Sequence, residues 1–309
     1  LSEPGAIAIA GGTDLLPRLK NETVIPKRLV DLNAIESLKD VQISPERVRL
    51  GAGTRLAELM QHTDLAIKLP ALLKAMAHVA SPQIRNVATL GGNLCQFTRC
   101  QYFNQSFHWR KSLSPCYKTD GDVCHQRKRS SRCVASFYSD IAPVLIAMGA
   151  KVVLTGHEGN RIISLDRMYL DDGNLSLGVG ELVSFIDISL KKHQGQVYLG
   201  RALRSTIDFG LGIVAAVISV DPHKELCQEA AIVLGGVAPF PLRAEKAENL
   251  LLGQKLSGEL ITEASRLAVE GLEPIPEPFC TPKYKKQLME VLIKRAIKQA
   301  YDEALGNLN

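Results

Sequence analysis

Four cysteines, Cys100, Cys116, Cys124 and Cys133, follow one another with 15, 7 and 8 residues between them. Thiolates are soft ligands, suited to zinc or to iron–sulfur clusters. No CxxC pair occurs in the chain, so the two-ligand turn on which zinc ribbons are built is absent. Wide spacing suits either a cluster held by a wrapping loop or unrelated free thiols, and spacing alone leaves both open. His108 and His125 lie in the same stretch, as further ligands or as solvated loop side chains. Cys95 stands just before it, and Cys227 and Cys280 are distant singles.

Two glycine pairs form a second kind of chemistry. Ala10-Gly11-Gly12-Thr13-Asp14-Leu15 follows an apolar run, and Thr89-Leu90-Gly91-Gly92-Asn93 follows another. Paired glycines let backbone N–H groups approach an anion closely, and a neighbouring threonine adds a hydroxyl donor. Neither stretch matches GxGxxG or a P-loop ending in GK[ST]. Alone, each Gly-Gly is more often an ordinary tight turn, and two such loops in one domain favour the cradling of a phosphate.

Charge is placed unevenly. The 309 residues carry a formal +5. Residues 97–134 hold eight basic and two acidic side chains, so this segment alone carries +6 and the remainder is close to neutral. The basic run Arg127-Lys128-Arg129, with Tyr102, Phe103, Phe107 and Trp109 nearby, could face nucleic acid or be a solvated loop. It could also offset a thiolate-bound cluster and attract an acidic partner. Between Gln96 and Val134 the only Leu, Ile or Val residues are Leu113 and Val123, too few for a core. A long loop of this kind is disordered or functional, and metal ligation would supply the folding free energy that burial cannot.

The other histidines show no ligand spacing, and no Ser–His–Asp set can be assembled. A chain of this length predicts about two domains and an ample core, so no disulfide staples are needed. With 46% hydrophobic and 22% charged residues, bulk disorder is excluded. No run of about 18 apolar residues suggests a membrane span, and no signal-peptide pattern follows Leu1.

The elements that must position these residues follow from periodicity. Strands are expected at 6–10, 28–32, 48–52, 151–155, 182–188 and 230–236, and after a turn within 204–220. Thr54 is expected to cap a helix bearing Leu56, Leu59 and Met60, and Ser139 one over 141–148. Further helices are expected at 70–79, 244–252, 259–269 and 285–305, the last after a proline-rich linker at 273–282. Alternating elements followed by strands and then helices imply an α/β domain followed by an α+β domain.

The two glycine motifs, Ser139-Asp140-Ile141-Ala142-Pro143 with Gly149-Ala150, Gly180-Glu181-Leu182, and Val233-Leu234-Gly235-Gly236-Val237-Ala238-Pro239 together resemble the FAD-binding subunit of the xanthine oxidase family of molybdenum hydroxylases. The resemblance runs over nearly the whole chain, short of about twenty residues that the family carries before the position of Leu1. It implies a PCMH-type α/β FAD-binding domain of two subdomains at 1–196, and an α+β C-terminal domain of the CO dehydrogenase flavoprotein type at 197–309. The diphosphate of a noncovalent FAD is then expected on backbone N–H groups of Ala10 to Leu15 and of Thr89, Leu90, Gly91, Gly92 and Asn93. Val79, Asp140 and Leu182 are expected to touch the flavin or its adenosine arm.

About 40 residues separate the second glycine motif from Ser139-Asp140, where most members of the family have none. An insertion there with four cysteines resembles the β subunit of 4-hydroxybenzoyl-CoA reductase. That resemblance implies a [4Fe–4S] cluster on Cys100, Cys116, Cys124 and Cys133 within a 97–134 loop, with Gln101 between cluster and flavin and Cys95 outside the ligand set. It further implies a cytoplasmic electron-transfer subunit with no substrate chemistry of its own. A ferredoxin would supply electrons, and a [2Fe–2S] small subunit and a molybdopterin-binding large subunit would receive them for reductive dehydroxylation of the aryl-CoA. A related dehydrogenase subunit passing electrons to NAD or another acceptor is the alternative within the class. A zinc-stabilised nucleic-acid-binding module is the alternative outside it; neither nucleic acid nor a membrane is expected as a partner.

Overall fold

The computed structural model describes residues 1, 3–204 and 207–308. Alternating Ala and Ile form β1 (Ala6–Ile9), which pairs in parallel with β2 (Arg28–Asp31), Ala6 opposite Arg28. A parallel pair needs a crossover, and α1 (Leu15–Lys20) lies within it, directly after the first glycine motif.

A second, antiparallel sheet follows. Its strands are β3 (Val41–Ile43), β4 (Arg47–Gly51), β5 (Lys151–Gly156), β6 (Gly159–Ser164) and β7 (Leu182–Ser189), in the order β3-β4-β7-β5-β6. Between β4 and β5 the regular elements are helices. The chain forms α2 (Leu56–Leu59), α3 (Thr63–Lys68), α4 (Pro70–His78), α5 (Pro82–Arg85), α6 (Leu90–Leu94), α7 (Phe107–Lys111) and α8 (Ile141–Ala147). Every residue of α8 is buried, so its apolar run reads without helical periodicity.

The third sheet contains β8 (Gln194–Arg201), β9 (Gly212–Val220), β10 (Cys227–Gly235) and β11 (Leu242–Arg243), in the order β11-β10-β9-β8. One face packs against α9 (Glu245–Leu251), α10 (Gly258–Ala268) and the long α11 (Pro282–Gly306). Tyr198, Ile213, Ala215, Val217 and Val233 point the other way and join the first core, against α4 and α8. Both faces of β9 are therefore dry, which explains its nine consecutive buried residues. The architecture is the expected α/β region followed by an α+β region. β8 runs across positions 196 and 197 and contributes to both cores.

Local expectations shift where side chains found other partners. Thr54 does not cap α2: its hydroxyl donates to the Lys39 carbonyl at 3.1 Å, and Arg55 takes the cap position. β3, β6, β8 and β11 are strands that the pattern did not reveal; β6 is largely exposed, so it lacks apolar alternation. Within the expected 204–220 strand, regular structure starts at Gly212, and Ser205 and Thr206 lie outside the described residues. Among the described residues, no helix is long and apolar enough to cross a membrane.

Candidate cofactor site

The fold brings the two glycine motifs together. Gly11 packs so closely on the Val87 carbonyl and Ala88 Cα that no Cβ could be accommodated there. Gly12 adopts φ +69°, a left-handed conformation that glycine enters without strain. Leu15 is buried and anchors the loop, while the Ala10 carbonyl accepts from Asn33 Nδ2 at 3.1 Å. Among the described residues, the N–H groups of Gly11, Gly12, Thr13 and Asp14 have no intramolecular acceptor outside regular structure, and the Thr13 hydroxyl has none. These free donors suit the diphosphate of FAD.

The second motif is built differently from expectation. Thr89 caps α6, its Oγ1 accepting the Gly92 N–H at 3.1 Å. The Leu90 and Gly91 N–H groups donate to the carbonyls of Thr54 and Ala52, at 3.0 and 2.7 Å, and the Asn93 N–H donates to Thr89. Its amides are thus engaged inside the protein. Gly91 is needed for close packing, since an added Cβ would stand 2.8 Å from that of Ala52. The Asn93 side chain accepts from Ser139 Oγ at 2.6 Å, and Ser139 Oγ in turn accepts the Ala142 N–H at 2.9 Å. The Gly-Gly-Asn turn and the start of α8 therefore share one hydroxyl, which caps the helix as expected.

Asp140 does not cap α8. Its carboxylate accepts the Tyr198 hydroxyl at 2.5 Å, and the His78 ring lies 5.1 Å from that of Tyr198. Burial pushes the Asp140 carboxyl up to about 6, against the opposing pull of that hydrogen bond. His78, Asp140, Tyr198, Arg201, Arg204 and Asp208 line one cavity. Val79 follows α4 in a buried position, its carbonyl accepting from Arg85 at 2.7 Å. Leu182 opens β7 opposite Thr155, beside Glu181, whose carboxyl the Arg161 guanidinium holds down at about 2.

The cysteine segment is fastened to the first glycine motif. The Asp14 carboxylate accepts from Arg99 at 2.7 Å and from the Phe97 N–H at 3.2 Å. Beyond this anchor, Cys100, Cys116, Cys124 and Cys133 all line one small cavity of about 20 Å³, with Tyr102, Phe103, Lys118 and His125. The Phe103 N–H points at Cys100 Sγ, 3.3 Å away, the kind of contact that tunes a cluster sulfur. Burial pushes the Cys100 and Cys133 thiols up, and backbone N–H groups oppose it. Among the described residues no three His, Cys, Asp or Glu side chains converge on a point for a single ion. The four cysteines share the wall of one small cavity, and thiolates are the donor set that iron–sulfur clusters take.

Cys95 packs with the first core away from this cavity, and burial pushes its thiol up to about 12. Gln101 is exposed, its carbonyl accepting from Gln105 Nε2 at 3.0 Å. Phe103, in the wall of the cysteine cavity, and Phe97, beside the Asp14 anchor, have rings 5.7 Å apart. Several cations of the segment are neutralised against the body of the protein: Arg127 pairs with Glu273 at 3.0 Å and Arg132 pairs with Asp171. Lys128 and Arg129 remain exposed without an acidic partner among the described residues.

Comparison with known proteins bears on the fold and on the flavin site. Residues 1–189 match the family model of the FAD binding domain in molybdopterin dehydrogenase, and residues 200–300 match the CO dehydrogenase flavoprotein C-terminal domain. The chain is 32% identical to the aldehyde oxidoreductase FAD-binding subunit PaoB of Escherichia coli, over 80% of each chain. It is 28% identical to the carbon monoxide dehydrogenase medium chain of Afipia carboxidovorans, over 94% of this chain and 88% of that one. A solved carbon monoxide dehydrogenase from Hydrogenophaga pseudoflava superposes with a TM-score of 0.80 at 26% identity, covering 97% of this chain and 91% of the other.

Proposed function

Because this chain belongs to the FAD-binding medium subunits of the xanthine oxidase family of molybdenum hydroxylases, we propose that it is the electron-transfer subunit of a reductase of the 4-hydroxybenzoyl-CoA type. In this reading a ferredoxin delivers electrons to a [4Fe–4S] cluster on Cys100, Cys116, Cys124 and Cys133. They pass by way of FAD toward partner subunits holding [2Fe–2S] centres and molybdenum, where the aryl-CoA hydroxyl is removed reductively. A bound flavin supplies the exchange between one- and two-electron steps, and the protein supplies position and electrostatics.

The observation that carries the reading is the cavity rimmed by all four cysteines, fastened to the flavin loop through Asp14. The free N–H groups of Gly11 to Asp14 hold the FAD diphosphate, with Thr89 to Asn93 as its packed floor. Val79, Asp140 and Leu182 bound the rest of the cofactor. Asn93, Ser139 and the buried α8 fix that floor against movement. Exposed Lys128 and Arg129 offer an acidic ferredoxin its first contact. A soluble, cytoplasmic assembly suits a chain that keeps seven free thiols.

Iron, sulfide, zinc and flavin counted per chain in anaerobically purified protein test the reading, together with the resonance spectrum of the reduced state. About four irons and one FAD are expected; zinc without iron would overturn the cluster assignment. The dehydrogenase names of several relatives favour a second reading, in which electrons leave through the flavin to NAD or another acceptor. Reduction of the bound flavin by NADH, and not by reduced ferredoxin, would select it.

A further inference from the structure

Lys118 belongs to the cysteine segment yet is folded inward. Its Nζ stands 3.8 Å from the centre of the Phe97 ring and 5.7 Å from that of Phe103, and the residue lines the four-cysteine cavity. Among the described residues it has neither a hydrogen-bond acceptor nor an acidic partner within ion-pair distance. An ammonium has three donors to satisfy, and ring faces replace them only in part.

Two guanidinium groups share this neighbourhood. Arg18 Cζ lies 4.1 Å from the same Phe97 ring, and Arg18 and Arg99 reach one carboxylate, Asp14, at 3.9 and 2.7 Å. Arg18 Nε and Arg99 Nε are buried without an acceptor. These three cations face two acids, Asp14 and, further from Lys118, Asp172, leaving a formal excess of one positive charge. Uncompensated charge of this kind is costly unless an anion joins it. Four thiolates around a [4Fe–4S]²⁺ core carry a formal −2, opposite in sign to that excess.

We propose that Lys118 is a positioning residue whose fixed charge sets the reduction potential of the cluster on Cys100, Cys116, Cys124 and Cys133. The inference rests on the cluster reading given above. Reduction adds one negative charge, which a neighbouring cation stabilises, so removing the cation makes the cluster harder to reduce.

The test is a redox titration of the whole protein followed by electron paramagnetic resonance, on wild type, Lys118→Met, Lys118→Gln and Lys118→Arg, with iron and FAD counted in each. The Met and Gln variants are expected to keep FAD and to show a lower cluster midpoint potential, with Arg restoring most of the shift. If Lys118→Met sheds its iron, the Gln and Arg variants carry the comparison. An unmoved potential in an iron-loaded neutral variant overturns the proposal. So does loss of FAD with an unmoved potential, which would assign the lysine to the flavin diphosphate. Wild-type protein without iron overturns the cluster reading itself and the inference with it.

Discussion

The Asp14 carboxylate meets the Arg99 guanidinium at 2.7 Å across 85 positions of sequence. Asp14 ends the first glycine loop, and Arg99 precedes the first cysteine of the cavity. The same carboxylate holds the Phe97 N–H, so one acid clamps the loop that binds flavin to the segment that carries the thiols.

Replacing Asp14 with Ala should therefore damage both sites at once. The carboxylate is about four-fifths buried, and losing charge-assisted hydrogen bonds in such a place costs about 2 kcal/mol. Weaker FAD binding and faster proteolysis within 97–134 are expected together. If flavin titration and limited proteolysis report only one of the two changes, the clamp is not shared.

Gly11→Ala should abolish tight FAD binding, because the new methyl has no place beside the Val87 carbonyl. Overpacking of this kind costs about 1–3 kcal/mol. Gly258, at the start of α10, has open space around its Cα and an ordinary φ. Gly258→Ala should leave flavin binding intact and stability equal or slightly higher, by up to about 1 kcal/mol. Thermal melts and flavin fluorescence of the two variants make the comparison.

Cys124→Ser should eliminate the cluster signal while FAD stays bound, and Cys95→Ser should preserve both. Cys95 lies in the first core, away from the other thiols. Loss of FAD from Cys124→Ser with an intact cluster signal would mean that the ligands are misassigned.

The linker before α11 is held by a buried ion pair. Lys285 is fully buried, its Nζ 2.6 Å from Glu277 Oε1, which also accepts the Tyr138 hydroxyl at 2.6 Å. Lys285→Met leaves Glu277 without its cation and should cost about 3 kcal/mol, whereas removing both charges together should recover most of that loss. Urea unfolding of the single and double variants measures it; a double variant no more stable than the single one would show that the charges are not coupled.

Asp140 gives a pH signature in flavin-free protein. Its folded-state carboxyl titrates at about 6, against 3.8 for an unperturbed aspartate. Between those values the native state binds more protons than the unfolded chain, so stability falls as pH rises through the window. Asp140→Asn removes this contribution. The stability difference between variant and wild type should grow from about pH 4 to pH 6 and then level off, and a flat difference would exclude Asp140 as its source.

Legibility followed the range of the interactions. The glycine motifs, the buried runs of α8 and β9 and the amphipathic α11 were readable because backbone freedom and periodic burial are written locally. β6 was not, because an exposed edge strand takes its structure from a neighbour and needs no apolar pattern of its own, and β3, at three residues, is too short for its alternation to stand out. Thr89 to Asn93 looked like a second set of free amides, and folding committed them to Ala52, Thr54 and Thr89.

The sequence by itself determined that four cysteines and the excess positive charge of the chain belong to one core-poor segment inserted after a Gly-Gly-Asn motif. Composition and spacing are properties of the covalent chain and survive unfolding. Only the tertiary structure decided that Asp14 reaches across the fold to hold Arg99, that the Phe97 and Phe103 rings meet beside the cysteine cavity, and that Lys118 faces inward. Those outcomes depend on which desolvated charge finds a partner across tens of residues, and no local pattern encodes such a balance.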